Sequence, residues 1–89
     1  MIWALRKTYD VLPKLKDEEL RTVSINENYD VAGGAYTIVL GLHTNKQRYV
    51  VRYTITMQDA VALGYRVEER AVELITEQMK HNLTKEGVI

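Results

Sequence analysis

The chain has 89 residues, of which 46% are hydrophobic, and its 12 lysine and arginine side chains balance 12 aspartate and glutamate side chains. This length and composition predict one small globular domain rather than disorder, with a modest core that a partner or a second copy would help to stabilise. The zero formal net charge argues against a protein that binds mainly phosphate, and the lack of cysteine excludes disulfides, thiolate zinc sites and cysteine nucleophiles.

The N-terminal segment has the apolar spacing of a helix face, which predicts a helix over residues 2–12 that ends before Pro13. A strand with Trp3, Leu5 and Val11 on one face is the alternative. Charged residues follow the first apolar residues too soon for a signal peptide, and no apolar run approaches the roughly 20 residues that span a bilayer. We therefore expect a cytoplasmic protein. The four residues of the predicted helix face are Ile2, Leu5, Tyr9 and Leu12.

The most regular pattern lies between residues 35 and 57, where apolar and polar residues alternate along two predicted strands. Strict alternation is typical of strands that are buried on one face only. An even-length turn around Asn45 and Lys46 keeps both apolar sets on one face and pairs Leu42 with Tyr49. The apolar set comprises Tyr36, Ile38, Leu40, Leu42, Tyr49, Val51, Tyr53, Ile55 and Met57.

A further strand is predicted over residues 20–31, where one parity is apolar with Glu27 as the exception. The glycines at 33 and 34 suit a tight hairpin turn, and a two-residue loop there would pair Tyr29 with Ile38. The sequence therefore predicts a three-stranded antiparallel meander whose first strand lies at an edge of the sheet.

Two helical segments are predicted after the sheet. Thr56 suits an N-cap with Asp59 at the third helical position, and Gly64 suits a stop. A longer helix follows over residues 67–83, and the tail over 84–89 is expected to be frayed. Its predicted apolar stripe comprises Val67, Ala71, Leu74, Ile75, Met79 and Leu83. We therefore predict a single α+β domain over residues 1–89, in which the C-terminal helix and the N-terminal helix cover one face of the meander.

The polar face of the predicted sheet carries the candidate binding residues. Two arginines lie two positions apart on one strand, and a histidine lies opposite the first of them. Two valines make part of this face flat and apolar, which suits a protein partner better than a small ligand. A small anion site and a merely solvated face are the alternatives. The five candidate partner-binding residues are Val39, His43, Arg48, Val50 and Arg52.

No motif in the sequence predicts catalysis, a metal or a cofactor. His43 and His81 have no further ligand at a recognised metal spacing, and the glycines at 33 and 34 are not followed by the lysine and helix of a phosphate loop. Asn26, Asn28 and Asp30 alternate along one strand but lack the loop of a calcium site. We expect a protein that is not an enzyme and that needs no cofactor.

The predicted order of helix, three strands and helix resembles that of the double-stranded RNA-binding domain. The stretch Val67-Glu68-Glu69-Arg70 stands where that family has a basic cluster, and the family's Gly-Pro-His sequence is absent. The shared order therefore carries no motif and implies no function.

The sequence favours a small non-enzymatic protein-interaction module that acts on a protein partner or as a homo-oligomer. Accessory or inhibitor proteins that phages make against host enzymes have this character. The alternative is a nucleic-acid-binding module that uses the basic patch on the open sheet face. We expect no membrane partner.

Overall fold

The computed structural model describes residues 6, 8, 9, 12, 14–30 and 32–89, without the side chain of Tyr65. Arg6, Thr8 and Tyr9 are helical, and the Leu12 N–H donates to the Thr8 carbonyl at 3.1 Å. The rest of the helix predicted over residues 2–12 lies outside the described residues, as does position 31 at the end of the first predicted strand.

The described chain forms a three-stranded antiparallel sheet followed by two helices, which confirms the predicted α+β fold. The strands lie in the order β1-β2-β3, so β1 and β3 are the edges of the sheet. The elements are β1 (Leu20–Asp30), β2 (Ala35–Thr44), β3 (Arg48–Thr56), α1 (Met57–Leu63), a 3-10 turn (Gly64–Arg66) and α2 (Val67–Lys85).

The second hairpin has the predicted register, with Leu42 opposite Tyr49 and His43 opposite Arg48. The Thr44 N–H donates to the Gln47 carbonyl at 2.9 Å, so Asn45 and Lys46 form a two-residue loop. A loop of even length, as predicted, keeps the apolar side chains of both strands on the same face, since a slip by one residue would reverse them.

The first hairpin departs from the predicted register by two residues. Tyr29 lies opposite Tyr36, whereas the two-residue loop would have placed it opposite Ile38. The loop has four residues because the Asp30 carboxylate accepts the Gly33 N–H at 2.8 Å, and Gly34 then turns the chain at a φ of +68°. A shift of two residues preserves parity, so the apolar face of β1 is unchanged.

The main core lies between the sheet and α2, which packs against β2 and β3. The helix stripe is wider than predicted, because Val72 and Thr76 are buried while Leu74 is only half-buried. Thr76 tolerates burial because its hydroxyl donates to the Val72 carbonyl at 2.6 Å. The buried apolar residues are Leu15, Tyr36, Ile38, Leu40, Leu42, Tyr49, Val51, Ala60, Val67, Ala71, Val72, Ile75, Met79, Leu83 and Val88.

The C-terminal tail, which the sequence predicted to be frayed, packs against the core in the structure. After α2, Gly87 adopts a φ of +77°, and its N–H donates to the Thr84 carbonyl at 3.1 Å. The Val88 N–H donates to the Leu83 carbonyl at 2.9 Å, which completes a Schellman motif. Val88 is only 7% exposed, and its carbonyl accepts the Lys16 N–H. Burial of this apolar residue and its bond to the connector hold the tail in place.

Candidate functional site

The face of the sheet opposite α2 brings the five candidate binding residues together. His43 lies opposite Arg48, and two positions along the strands Gly41 lies opposite Val50. The next same-face pair is Val39 with Arg52, so three successive cross-strand pairs contain the whole set. We call these five residues the sheet-face patch. Val39 is half-buried and the other four are exposed, with Val50 50% exposed.

Gly41 leaves the middle of the sheet-face patch flat, because it has no side chain. A Cβ atom built at Gly41 would lie 2.9 Å from Ser24 Oγ, and 3.8 Å and 3.9 Å from Nη2 and Nε of Arg48. The Arg48 guanidinium therefore extends over the backbone of β2 instead of pointing straight into solvent. It presents a planar group close to the sheet surface, a geometry suited to bidentate contacts with carboxylates.

The charge on the sheet-face patch is positive and uncompensated within the described part of the chain. Neither Arg48 nor Arg52 forms an ion pair with a described residue; the pairs found there join Arg21 to Glu19 and Arg70 to Glu73. Arg48 and Arg52 are four positions apart on one strand, hence roughly 13 Å along it. Two arginine side chains in this arrangement can contact two separate acidic groups of a partner.

Small polar side chains border the patch. Residues of β1 add hydroxyl and amide groups on one side, since Ser24 lies opposite Gly41 and Asn26 opposite Val39. Beyond the patch, the hydroxyl oxygens of Thr37 and Thr54 are 3.1 Å apart across β2 and β3. An apolar centre with a polar border is the usual anatomy of a protein interface.

A cluster of acidic and tyrosine side chains lies on the other face of the sheet, which the sequence predicted to be apolar with Glu27 as the exception. The Tyr36 hydroxyl donates to Glu27 Oε2 at 3.1 Å, and the rings of Tyr29 and Tyr36 are 4.7 Å apart between centroids. Burial, followed by the nearby Glu27 carboxylate, raises the pKa of Glu68. The signal in the sequence was Glu27 itself, the one charged residue among the apolar positions of β1.

A second polar cluster joins the connector before β1 to the turn between β2 and β3. The Tyr49 hydroxyl donates to Glu18 Oε2 at 2.6 Å, and the Thr44 hydroxyl donates to Glu18 Oε1 at 2.8 Å. These bonds, that from Tyr49 above all, lower the pKa of Glu18, while burial raises the pKa of Tyr49 to about 12. Sequence analysis missed this cluster because Glu18 is 31 residues from Tyr49 and no local pattern connects them.

Among the clefts that described residues line, one lies away from the sheet-face patch, and another borders the patch at Arg48 and Val50. A cleft of ≈ 160 Å³ lies beside Leu63 and Glu69, and one of ≈ 200 Å³ lies between β3 and α2, near Arg48 and Met79. Both volumes are below the roughly 300–1,000 Å³ of typical ligand pockets. Within the described residues, no set of three or more histidine, aspartate or glutamate side chains is grouped as metal ligands would be.

Among the described helices, none is both long and apolar enough to cross a bilayer. Comparison of the chain with protein-family models, curated proteins and solved structures finds no match.

Proposed function

We propose that this protein is a small, non-enzymatic interaction module whose sheet-face patch binds a protein partner, or a second copy of itself. The observation that supports this proposal best is the open sheet face, which combines an apolar centre around Val50 with two arginines that have no described ion-pair partner. A partner that carries carboxylates around a small apolar surface would complement both properties.

A nucleic-acid partner is the second candidate, and the same two arginines are the observation in its favour. The aromatic side chains argue against it. Tyr36 and Tyr49 are buried on the α2 side of the sheet, and Tyr29 and Tyr53 share their parity. The described residues of the open face therefore include no aromatic ring on which a base could stack, unlike typical single-strand-binding sheets.

The proposal extends to a cytoplasmic protein of the accessory or inhibitor kind that phages direct at host enzymes. The absence of cysteine is consistent with a reducing compartment. Small size and balanced charge support a protein that acts by occupying a surface rather than by catalysing a reaction.

The first experiment is capture of binding partners from lysate of the native host, with and without nuclease, by the tagged wild-type protein and two variants. Val50→Asp places a charge in the apolar centre of the patch, and Arg52→Glu reverses one of its charges. Matched controls make the same changes elsewhere: Val61→Asp on α1, where the side chain is 74% exposed, and Arg66→Glu in the 3-10 turn.

We expect one protein to be captured with or without nuclease, and its yield to fall about tenfold or more with either patch variant but not with the controls. Capture that disappears with nuclease, and that falls steeply with salt, would replace this proposal by the nucleic-acid candidate. Equal capture by patch and control variants would show that another surface binds the partner.

A further inference from the structure

The outer edge of β1 has backbone N–H and carbonyl groups with no hydrogen-bond partner among the described residues, and the ladder shows which residues carry them. Adjacent pairs of an antiparallel ladder alternate between hydrogen-bonded and non-bonded. Thr44 bonds Gln47 at one end of the second hairpin, and the Met57 N–H bonds the Gly34 carbonyl at 2.8 Å at the other. Even-numbered residues of β2 therefore bond β3, and its odd-numbered residues bond β1.

The odd-numbered residues of β2 lie opposite even-numbered residues of β1, such as Ser24 opposite Gly41. The backbone N–H and carbonyl groups of the intervening β1 residues consequently point away from the sheet. No turn or loop bond from another described residue satisfies them. These outward-facing residues are Val23, Ile25, Glu27 and Tyr29, and we call them the β1 edge.

We propose that two copies of the chain pair antiparallel through the β1 edge, about a two-fold axis at Ser24, to form a continuous six-stranded sheet. This pairing makes specific the self-association included in the proposed function, but it uses the edge of the sheet rather than the sheet-face patch. Either surface can therefore fail its test without affecting the other.

Self-complementarity selects this register. With Ser24 on the axis, Val23 lies opposite Ile25 of the second copy, and Arg21 lies opposite its Glu27, so each contact occurs twice. Directly opposed apolar residues and opposite charges stabilise antiparallel pairs, whereas like charges destabilise them. Arg21 is the extra residue of a bulge, and the length of its side chain accommodates the local offset.

Neighbouring registers lack this complementarity. If the two-fold axis lay at Ile25, the apolar Val23 would lie opposite the charged Glu27 of the second copy. If the axis lay at Glu27 or at Val23, Glu27 would lie opposite another glutamate of the second copy, its own counterpart or Glu19 respectively.

The opposite edge of the sheet is protected against the same pairing. The odd-numbered residues of β3 form the backbone hydrogen bonds to β2, so the backbone groups of its even-numbered residues point away from the sheet. These outward-facing residues include Arg48 and Arg52. Pairing two copies of β3 would bring four arginines together. Like charges of this kind are one way in which natural sheets protect an edge, whereas the two charged residues of β1 that meet in the Ser24 register, Arg21 and Glu27, have opposite signs.

Sedimentation velocity over a range of concentrations tests the inference with a charge exchange. Arg21→Glu and Glu27→Lys each place like charges opposite one another twice per dimer, so each should weaken dimerisation about tenfold or more. The double variant Arg21→Glu/Glu27→Lys restores opposite charges and should recover most of the affinity. Arg70→Glu is the control on α2, and circular dichroism verifies that each variant is folded.

Rescue by the double variant supports the β1 edge and its register. A wild-type protein that stays monomeric at the highest attainable concentration overturns the inference. A dimer that resists both single exchanges, or that is abolished by Val50→Asp instead, assigns self-association to a different surface and also overturns it. Should Glu27→Lys fail to fold, Arg21→Glu combined with its rescue by Glu27→Gln, which removes the repulsion, provides the same comparison.

Discussion

At the scale of single residues, the hydrogen bonds that Glu18 accepts join parts of the chain that are distant in sequence. Its two carboxylate oxygens accept from different residues, Thr44 and Tyr49, on two different strands. Hydrogen bonds to a carboxylate stabilise its charged form in the folded state, so the free energy of unfolding depends on pH. Glu18 should therefore influence the pH range over which the hairpin and the connector remain together.

Glu18→Gln should lower the free energy of unfolding at pH 7, because an amide accepts these bonds less well than a carboxylate. The lowered pKa of Glu18 means that its contribution is complete above the ordinary glutamate value of 4.5 and is lost as the pH falls through the lower folded value. The difference between the two proteins should thus shrink in acid. Urea denaturation at pH 7 and pH 3 measures it, with exposed Glu77→Gln as control. An equal difference at both pH values would contradict this role.

Glu68→Gln should have the opposite effect and raise the melting temperature at pH 7. Burial and the Glu27 carboxylate raise the pKa of Glu68, so folding favours its protonated form. The ionised form therefore costs stability above the ordinary glutamate value, and this cost is absent below it. Thermal unfolding at pH 7 and pH 3 should show stabilisation only at pH 7. Glu69→Gln, at the exposed neighbouring position, should leave the melting temperature unchanged at both pH values.

At the scale of elements, the helix boundaries depend on local backbone conformation and capping. The Thr56 hydroxyl accepts the Asp59 N–H at 3.1 Å at the start of α1, as the sequence predicted. Gly64 ends α1 with a φ of 61° and a ψ of −133°, which is accessible to glycine and strained for other residues. Its position lets the chain turn from α1 into α2.

Gly64→Ala should destabilise the protein by about 1–3 kcal/mol, because alanine is strained at this backbone conformation even though no atom blocks its Cβ. Gly41→Ala is the matched control. Its Cβ would meet Ser24 Oγ, which can rotate away, and its backbone is that of a strand, so the change should cost less than about 1 kcal/mol. Denaturant unfolding of both variants measures the difference, and equal costs would show that the φ of Gly64 is unimportant.

At the scale of the whole molecule, α2 covers the sheet unevenly. It packs on β2 and β3, and β1 contributes only partly buried apolar residues to the core. Tyr29, at the far end of β1, is accordingly 46% exposed although its parity is that of the core. Among the described residues, apolar burial is therefore concentrated in β2, β3 and α2, and the apolar side chains of β1 are only partly buried or exposed.

Ile75→Ala should destabilise the protein by about 2–5 kcal/mol, because it removes a fully buried side chain between α2 and the sheet. Leu74→Ala should cost clearly less, since Leu74 is half-buried and water can occupy the vacated space. Urea unfolding measures both values. A similar cost at the two positions would contradict the orientation of α2 found here, in which Val72 rather than Leu74 faces the core.

Local patterns were sufficient to predict most elements of this fold. Alternation predicted the strands, and the register of the second hairpin followed because only an even loop keeps nine apolar residues on one face. Thr56, Asp59 and Gly64 predicted the limits of α1 because caps and stops depend on neighbouring residues alone. The sheet-face patch was predictable for the same reason, since parity and hairpin register place its five residues side by side.

The sequence by itself thus determined which residues form strands, which face of the sheet is apolar and where α1 begins and ends. Parity could not distinguish a two-residue from a four-residue loop after Asp30, and the structure shows the local bond from Gly33 that accompanies the longer one. Only the tertiary structure decided the orientation of α2, the packing of Val88 and the bonds of Glu18 and Glu27. The physical reason is the distance along the chain between the residues that interact. Periodicity and capping are set by interactions between neighbouring residues, whereas these features depend on side chains that meet only after the chain has packed.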